Sequence, residues 1–194
     1  MKQFSVLIII FFLSFSFVSA QVTPLNEVIS SQTDTLVRQK LTQFEKDGIE
    51  KTLNIKNLTP DELVNSAKKY LGLPHCMGGN GKTSKKSDGR KCIDCSGLLS
   101  ASFWDAGVNT DIHSSQELAR YGTIITDTSQ IQKGDLLFFI MSYRSSRPEI
   151  VITHAAIAVD HNYMIHTSAS NGVEITSINS KYWSSRFIFA TRVF

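Results

Sequence analysis

The sequence predicts an α+β fold, with N-terminal helices packed on a mostly antiparallel sheet of about five to six strands. Three observations carry this. The chain has 194 residues, 42% of them hydrophobic, which is about one domain's worth and enough for one sizeable core. Helix-capping signals and helical apolar spacing fall before Gly122. After it come short runs rich in Ile, Val, Phe and Thr bounded by turn residues, and helices followed by strands is an α+β order.

Residues 1–20 combine a lysine, an apolar run and Val18-Ser19-Ala20, the pattern of a cleaved signal peptide. The run is shorter than the roughly 20 residues of a spanning helix, and no cysteine follows Ala20 to carry a lipid. The expectation is an exported chain, periplasmic or secreted from a bacterium, with no stable membrane span after cleavage. Cleavage removes one lysine and no acid, taking the formal charge from +3 to +2. That is too mild to imply nucleic acid as a partner. Residues 21–58 are polar, with Leu36, Val37, Leu41 and Phe44 spaced for one amphipathic helix, and read as an N-terminal helical arm ahead of a domain at 59–194.

The first clear helix opens at Thr59-Pro60-Asp61-Glu62, where Thr59 can cap, Pro60 suits the first turn and Glu62 can close a capping box. Leu63, Val64, Ala67, Tyr70 and Leu71 line one face until Gly72. The segment from Pro74 to Lys91, rich in Gly, Lys and Ser, reads as loop. Its cations, among them Lys82, Lys85, Lys86 and Arg90, suit a solvated surface or a contact for an anionic polymer. A second helix is expected from about Cys95 to Ala106, capped by Asp94, turning Leu98, Leu99, Ser102 and Phe103 inward and ending at Gly107. Ser114-Ser115-Gln116-Glu117 opens a third, short helix with another capping box, closing at Gly122. Five strands follow in residues 135–141, 151–159, 162–168, 173–178 and 186–194.

Export gives the three cysteines, Cys76, Cys92 and Cys95, an oxidising setting in which one disulfide leaves one thiol over. Three arrangements compete. Cys92 and Cys95 form a C-x-x-C at a helix start, the geometry of a redox pair, although a basic glycine loop precedes it where that motif wants a strand. His75, Cys76, Cys92 and Cys95 offer a zinc-type ligand set, with His75 and Cys76 adjacent instead of separated by a spacer. Pairing Cys76 with Cys92 closes the glycine loop, worth about 3 kcal/mol, and leaves Cys95 at a helix N-terminus whose amides favour a thiolate. A thiolate needs a base and the base a partner. His154 and His166 lie on consecutive strands around Asp160-His161-Asn162; an odd-numbered loop would put both on one face, opposite or diagonal. His161, in the turn, reads as solvated.

These residues resemble the NlpC-like cell-wall cysteine peptidases, which have a papain-like fold. The matching pieces are Tyr70-Leu71-Gly72 with Pro74, Gly78-Gly79, Asp94-Cys95-Ser96-Gly97-Leu98, Gly134-Asp135-Leu136-Leu137-Phe138-Phe139, His154 with its following AAIAV, and His166 with TSASNGVEI. The stretch from Tyr182 to Val193 further resembles the Spr-type murein endopeptidases. The resemblance spans about residues 60 to 194 and implies hydrolysis of peptidoglycan stem peptides by a monomer without metal or other cofactor. The bond implied is D-glutamate to diaminopimelate or lysine, or the D-alanine to diaminopimelate cross-link. By the same resemblance Cys95 is the nucleophile, His154 the general base and His166 its orienting partner. Asp94, Ser96, Ser114 and Ser115 correspond to positions at the substrate. His75 stands where relatives carry a tyrosine whose hydroxyl serves the oxyanion. The alternatives are a thiol–disulfide oxidoreductase using Cys92 and Cys95, or a wall-binding module without activity.

Overall fold

Residues 53–55, 57–110, 112–140 and 152–194 are described by the structure, a computed structural model of the chain. The expected signal segment and the amphipathic stretch around Leu36 to Phe44 lie outside the described residues. The first described helix, α1 (Pro60–Lys68), starts as its capping box dictates: the Thr59 hydroxyl accepts from the Glu62 amide while the Glu62 carboxylate accepts from the Thr59 amide at 2.8 Å. It stops at Lys68, so Leu71 lies beyond it and is exposed instead of extending the buried face.

The segment expected to be loop contains a hairpin, β1 (Asn80–Lys85) and β2 (Lys91–Ile93), which pair antiparallel. β1 is polar and largely exposed, and β2 is three residues long with Cys92 and Ile93 both buried, so no apolar alternation marks either strand. Backbone pairing persists because Asn80 Oδ1 accepts from the amides of Lys82, Thr83 and Ser84 and Gly81 takes a positive φ of 71°.

Helix α2 (Cys95–Asp105) is capped by Asp94, whose Oδ1 accepts from the Gly97 amide at 2.7 Å. It buries Leu98, Leu99, Ser102 and Phe103 as its spacing requires. Helix α3 (Ser115–Leu118) forms, but Ser114 makes no side-chain cap bond, so the second capping box is absent. Glu117 instead lies 3.8 Å from Arg120.

The sheet has six strands where five were read. β3 (Thr123–Ile125), β4 (Leu136–Phe139), β5 (His154–Ala158), β6 (Tyr163–Ser168), β7 (Gly172–Ser177) and β8 (Phe187–Arg192) run antiparallel in the order β3-β8-β4-β5-β6-β7. β3 is three residues long, too short to show a period. A four-residue helix, α4 (Lys181–Ser184), precedes β8. Alternation sorts the central strands between two cores. Leu136, Phe138, Ala155, Ile157, Ile165 and Phe189 pack with the apolar faces of α1 and α2. Leu137, Phe139, Ala156, Ala158, Met164 and Ala190 pack with Ile178 and Trp183 of the opposite side.

Candidate active site

Cys95 is the free cysteine, while Cys76 and Cys92 are joined, with sulfurs at 2.07 Å. The redox-pair and zinc-type arrangements would each need a sulfur that this bond holds. Among the described residues no group of three or more His, Cys, Asp or Glu side chains converges as for a metal ion.

The start of α2 is clamped by the glycine loop. The Asp94 amide donates to the Gly79 carbonyl at 3.0 Å, and Asp94 Oδ2 accepts from the Gly78 amide at 2.8 Å. A Cβ on Gly97 would sit 2.0 Å from the Gly79 oxygen, and one on Gly79 would sit 2.4 Å from the Cys76 sulfur. Glycine at both positions is a steric requirement of this approach. Asp94 is thus a helix cap and a loop clamp at once. Ser96 is buried and its hydroxyl donates to Asp94 Oδ1 and the His113 carbonyl.

β5 and β6 pair at Ile157↔Ile165 and Ala158↔Met164 and then part. Their continued register would set His154 opposite Ser168 and diagonal to His166, so the two imidazoles share a face. His154 Nε2 lies 3.2 Å from His166 Nδ1. Both rings are buried, stacked and edged against Trp183: His154 is near-parallel to the indole at 5.2 Å and His166 meets it edge-on at 4.6 Å. On its far side His166 Nε2 faces Thr176 Oγ1 at 3.0 Å, with the Glu174 carboxylate at 4.0 Å.

The Cys95 sulfur lies against β5, where the Ala155 amide, next to His154, points at it. Its other partners are the Ser115 hydroxyl at 3.4 Å and the Ser96 amide. Burial dominates and pushes the thiol above its ordinary value, against the lowering by Ser115 and the amides, with the Asp94 charge adding to the rise. The amides at the helix start do favour the thiolate, as expected, and desolvation by the surrounding chain works against them. Burial likewise pushes His154 down to about 3, helped by the neighbouring His166 and His75. His166 is lowered by burial too, and the Glu174 charge and the Thr167 backbone work against that. Burial thus favours the neutral form of the thiol and of both imidazoles.

His75 is half-buried and bridges to Ile93, next to the Cys76 bond, and is close enough to influence His154. Ser114 is exposed and lines, with His113, Glu117 and Tyr121, an open groove of about 600 Å³. Trp183, Thr176 and the Ala155 amide escaped the sequence reading. Trp183 lies within the stretch that resembles Spr-type enzymes, but nothing in its neighbours ties it to the histidines.

The NlpC/P60 family model matches residues 72–192. The chain is 26% identical over 170 residues to the Escherichia coli (strain K12) protein named murein DD-endopeptidase MepS/murein LD-carboxypeptidase, covering 88% of this chain and 78% of that one. It is 30% identical over 124 residues to a probable endopeptidase of Haemophilus influenzae, covering 64% and 68%. An NlpC/P60 family protein from Bacillus cereus superposes with a TM-score of 0.55 at 27% identity, over 70% of this chain and 40% of that longer one. None of the described helices is long and apolar enough to cross a membrane. From Gly72 to Arg192, through every element that frames Cys95 and the two histidines, this chain belongs to the NlpC/P60 family.

Proposed function

We propose that the protein is an exported cysteine peptidase that hydrolyses peptide bonds in peptidoglycan, with Cys95 as nucleophile and His154 and His166 as base and orienting partner. The observation that carries this is the free Cys95 sulfur against β5, taking the amide next to His154, while His154 Nε2 faces His166 Nδ1. The family supports the reaction class, and the relatives named as endopeptidases support the substrate.

The hydrogen-bond chain accommodates the tautomers that a general base needs. If His154 Nε2 carries the proton and donates to His166 Nδ1, then His166 carries its own on Nε2, toward Thr176. That leaves His154 Nδ1 with its lone pair to take the thiol proton. Burial favours the neutral form of both groups, which suits transfer of the proton as the sulfur attacks, in general-base fashion. The Cys95 amide, one of the first-turn donors without an intrahelical acceptor, serves the oxyanion, and His75 supplies a second donor in place of tyrosine. His154 imidazolium then protonates the leaving amine, and water hydrolyses the thioester. Glu174, 4.0 Å from His166, favours the transient positive charge.

Mass spectrometry of muropeptides released from sacculi tests activity and identifies the bond together. Wild type should release cleaved stems and Cys95→Ala none. Equal digestion by the alanine variant would remove Cys95 from the reaction.

A further inference from the structure

A second cavity, of about 190 Å³, lies between β1 and the side of α2 that faces it. Gly97, Ala101 and Trp104 form one wall, Lys82 another, and Thr110 and His113 close it. The Trp104 indole is 52% exposed. Thr110 is only 7% exposed, and its hydroxyl has no hydrogen-bond partner. A buried hydroxyl left unpaired is unfavourable until something supplies the bond. The Lys82 ammonium sits 4.6 Å from the Trp104 ring centre and 3.4 Å from the Asp105 carboxylate. Its charge is therefore already paired with the Asp105 carboxylate, which weakens its pull on an anionic occupant.

The occupant favoured is then neutral, offers an apolar face to an indole, and brings a polar group to a lone hydroxyl and an imidazole. Stem peptides carry free carboxylates and fit poorly. An N-acetylated pyranose fits: its ring has a CH-rich face, and its acetamido group is an uncharged donor and acceptor. We infer that this cavity is a subsite for the N-acetylated amino sugar of the glycan strand. It lies across α2 from the nucleophile, about one helix diameter or roughly 10 Å away, a span of about three extended residues. The choice of a glycan rests on the peptidoglycan reading above, but the binding test does not depend on hydrolysis.

The test titrates the Cys95→Ala protein with the tetramer of N-acetylglucosamine and follows the indole N–H resonances by NMR. The chain has two tryptophans, and Trp104→Phe assigns them. The Trp104 signal should shift saturably, the deacetylated tetramer should bind about tenfold more weakly, and Thr110→Val should weaken binding by about tenfold. Trp104→Ala, at an exposed position, should abolish binding without changing the far-ultraviolet circular dichroism, and covers the case in which the valine variant misfolds. A response at Trp183 alone, no response, or equal binding of the deacetylated sugar would overturn the proposal. Failure of the wild-type protein to cleave glycan-free stem peptides would instead count against the hydrolase reading, because that substrate never reaches this cavity.

Discussion

Lowering the pH should destabilise this fold through one buried ring. His154 is held near 3 in the folded protein against an ordinary value of 6.5, chiefly by burial beneath Trp183 and secondarily by His166 and His75. Between those values the unfolded chain binds a proton that the folded chain refuses, so stability rises with pH there. The contribution is complete above the unfolded value and is lost as pH falls toward the folded one. At a pH about two units below the ordinary value, with about 1.4 kcal/mol per unit, the loss relative to neutrality is about 3 kcal/mol. That is a large share of the 5–15 kcal/mol typical of a domain. Urea unfolding of wild type and His154→Gln, each at pH about 7 and about 4.5, measures it. The variant will be weaker at neutral pH, but its further loss on acidification should be smaller by about 3 kcal/mol. What remains of its pH slope comes from the carboxylates and from His166, which burial also lowers. If both proteins lose the same amount, His154 is not buried as a neutral ring, and the general-base assignment goes with it.

The same neutrality predicts that iodoacetamide alkylates Cys95 slowly below neutral pH, with a rate that climbs past the ordinary thiol value instead of levelling off in acid; an acid plateau would mean a preformed thiolate. Thr176→Val removes the acceptor at His166 Nε2 and should lower kcat about 10- to 100-fold with little change in KM, while Thr176→Ser restores most of it. Gly97→Ala drives a methyl group to within 2.0 Å of the Gly79 carbonyl and should cost about 1–3 kcal/mol, read as a lower Tm. Replacing Cys76 and Cys92 by serine opens a loop closed across 16 residues and should cost about 3 kcal/mol in chemical denaturation, with the folded variant losing activity through a displaced His75.

The order of elements was legible because capping and alternation are local signals: Thr59 and Glu62, Asp94 and Gly97, and the strand runs all act within a few residues of themselves. The polar hairpin and the three-residue β3 were not, because their strands carry no apolar period and are held by pairing with distant backbone. Within the site, the free state of Cys95 and the meeting of His154 with His166 could be read from spacing and resemblance, whereas the effect of burial on their protonation could not. Helix-start arguments concern a field that is local in sequence. Burial of Cys95 and His154 comes from chain distant in sequence, with Ala155 60 residues beyond Cys95 and Trp183 29 residues beyond His154, and it works against the helix amides.

The glycine loop explains why the chain around the nucleophile has to be Asp-Cys-Ser-Gly. The Gly79 carbonyl receives the Asp94 amide, and it also occupies the space a side chain at Gly97 would need. Asp94 divides its carboxylate between the helix amide of Gly97 and the loop amide of Gly78. Two residues before Asp94, Cys92 is bonded to Cys76, which is adjacent to His75. One loop therefore couples the helix cap, the cross-link and the ring that takes the tyrosine's place. Moving any of the three displaces the others, since hydrogen bonds and contact distances between backbones leave no compliant side chain to absorb a shift. It follows that His75→Tyr alone, made without altering the Cys76 to Cys92 bond, should keep the fold and change only the donor offered to the oxyanion. A kcat change of less than about tenfold, with unchanged KM, is the expected kinetic result. A fall as large as that of Cys95→Ala would mean that the imidazole does something a phenol cannot.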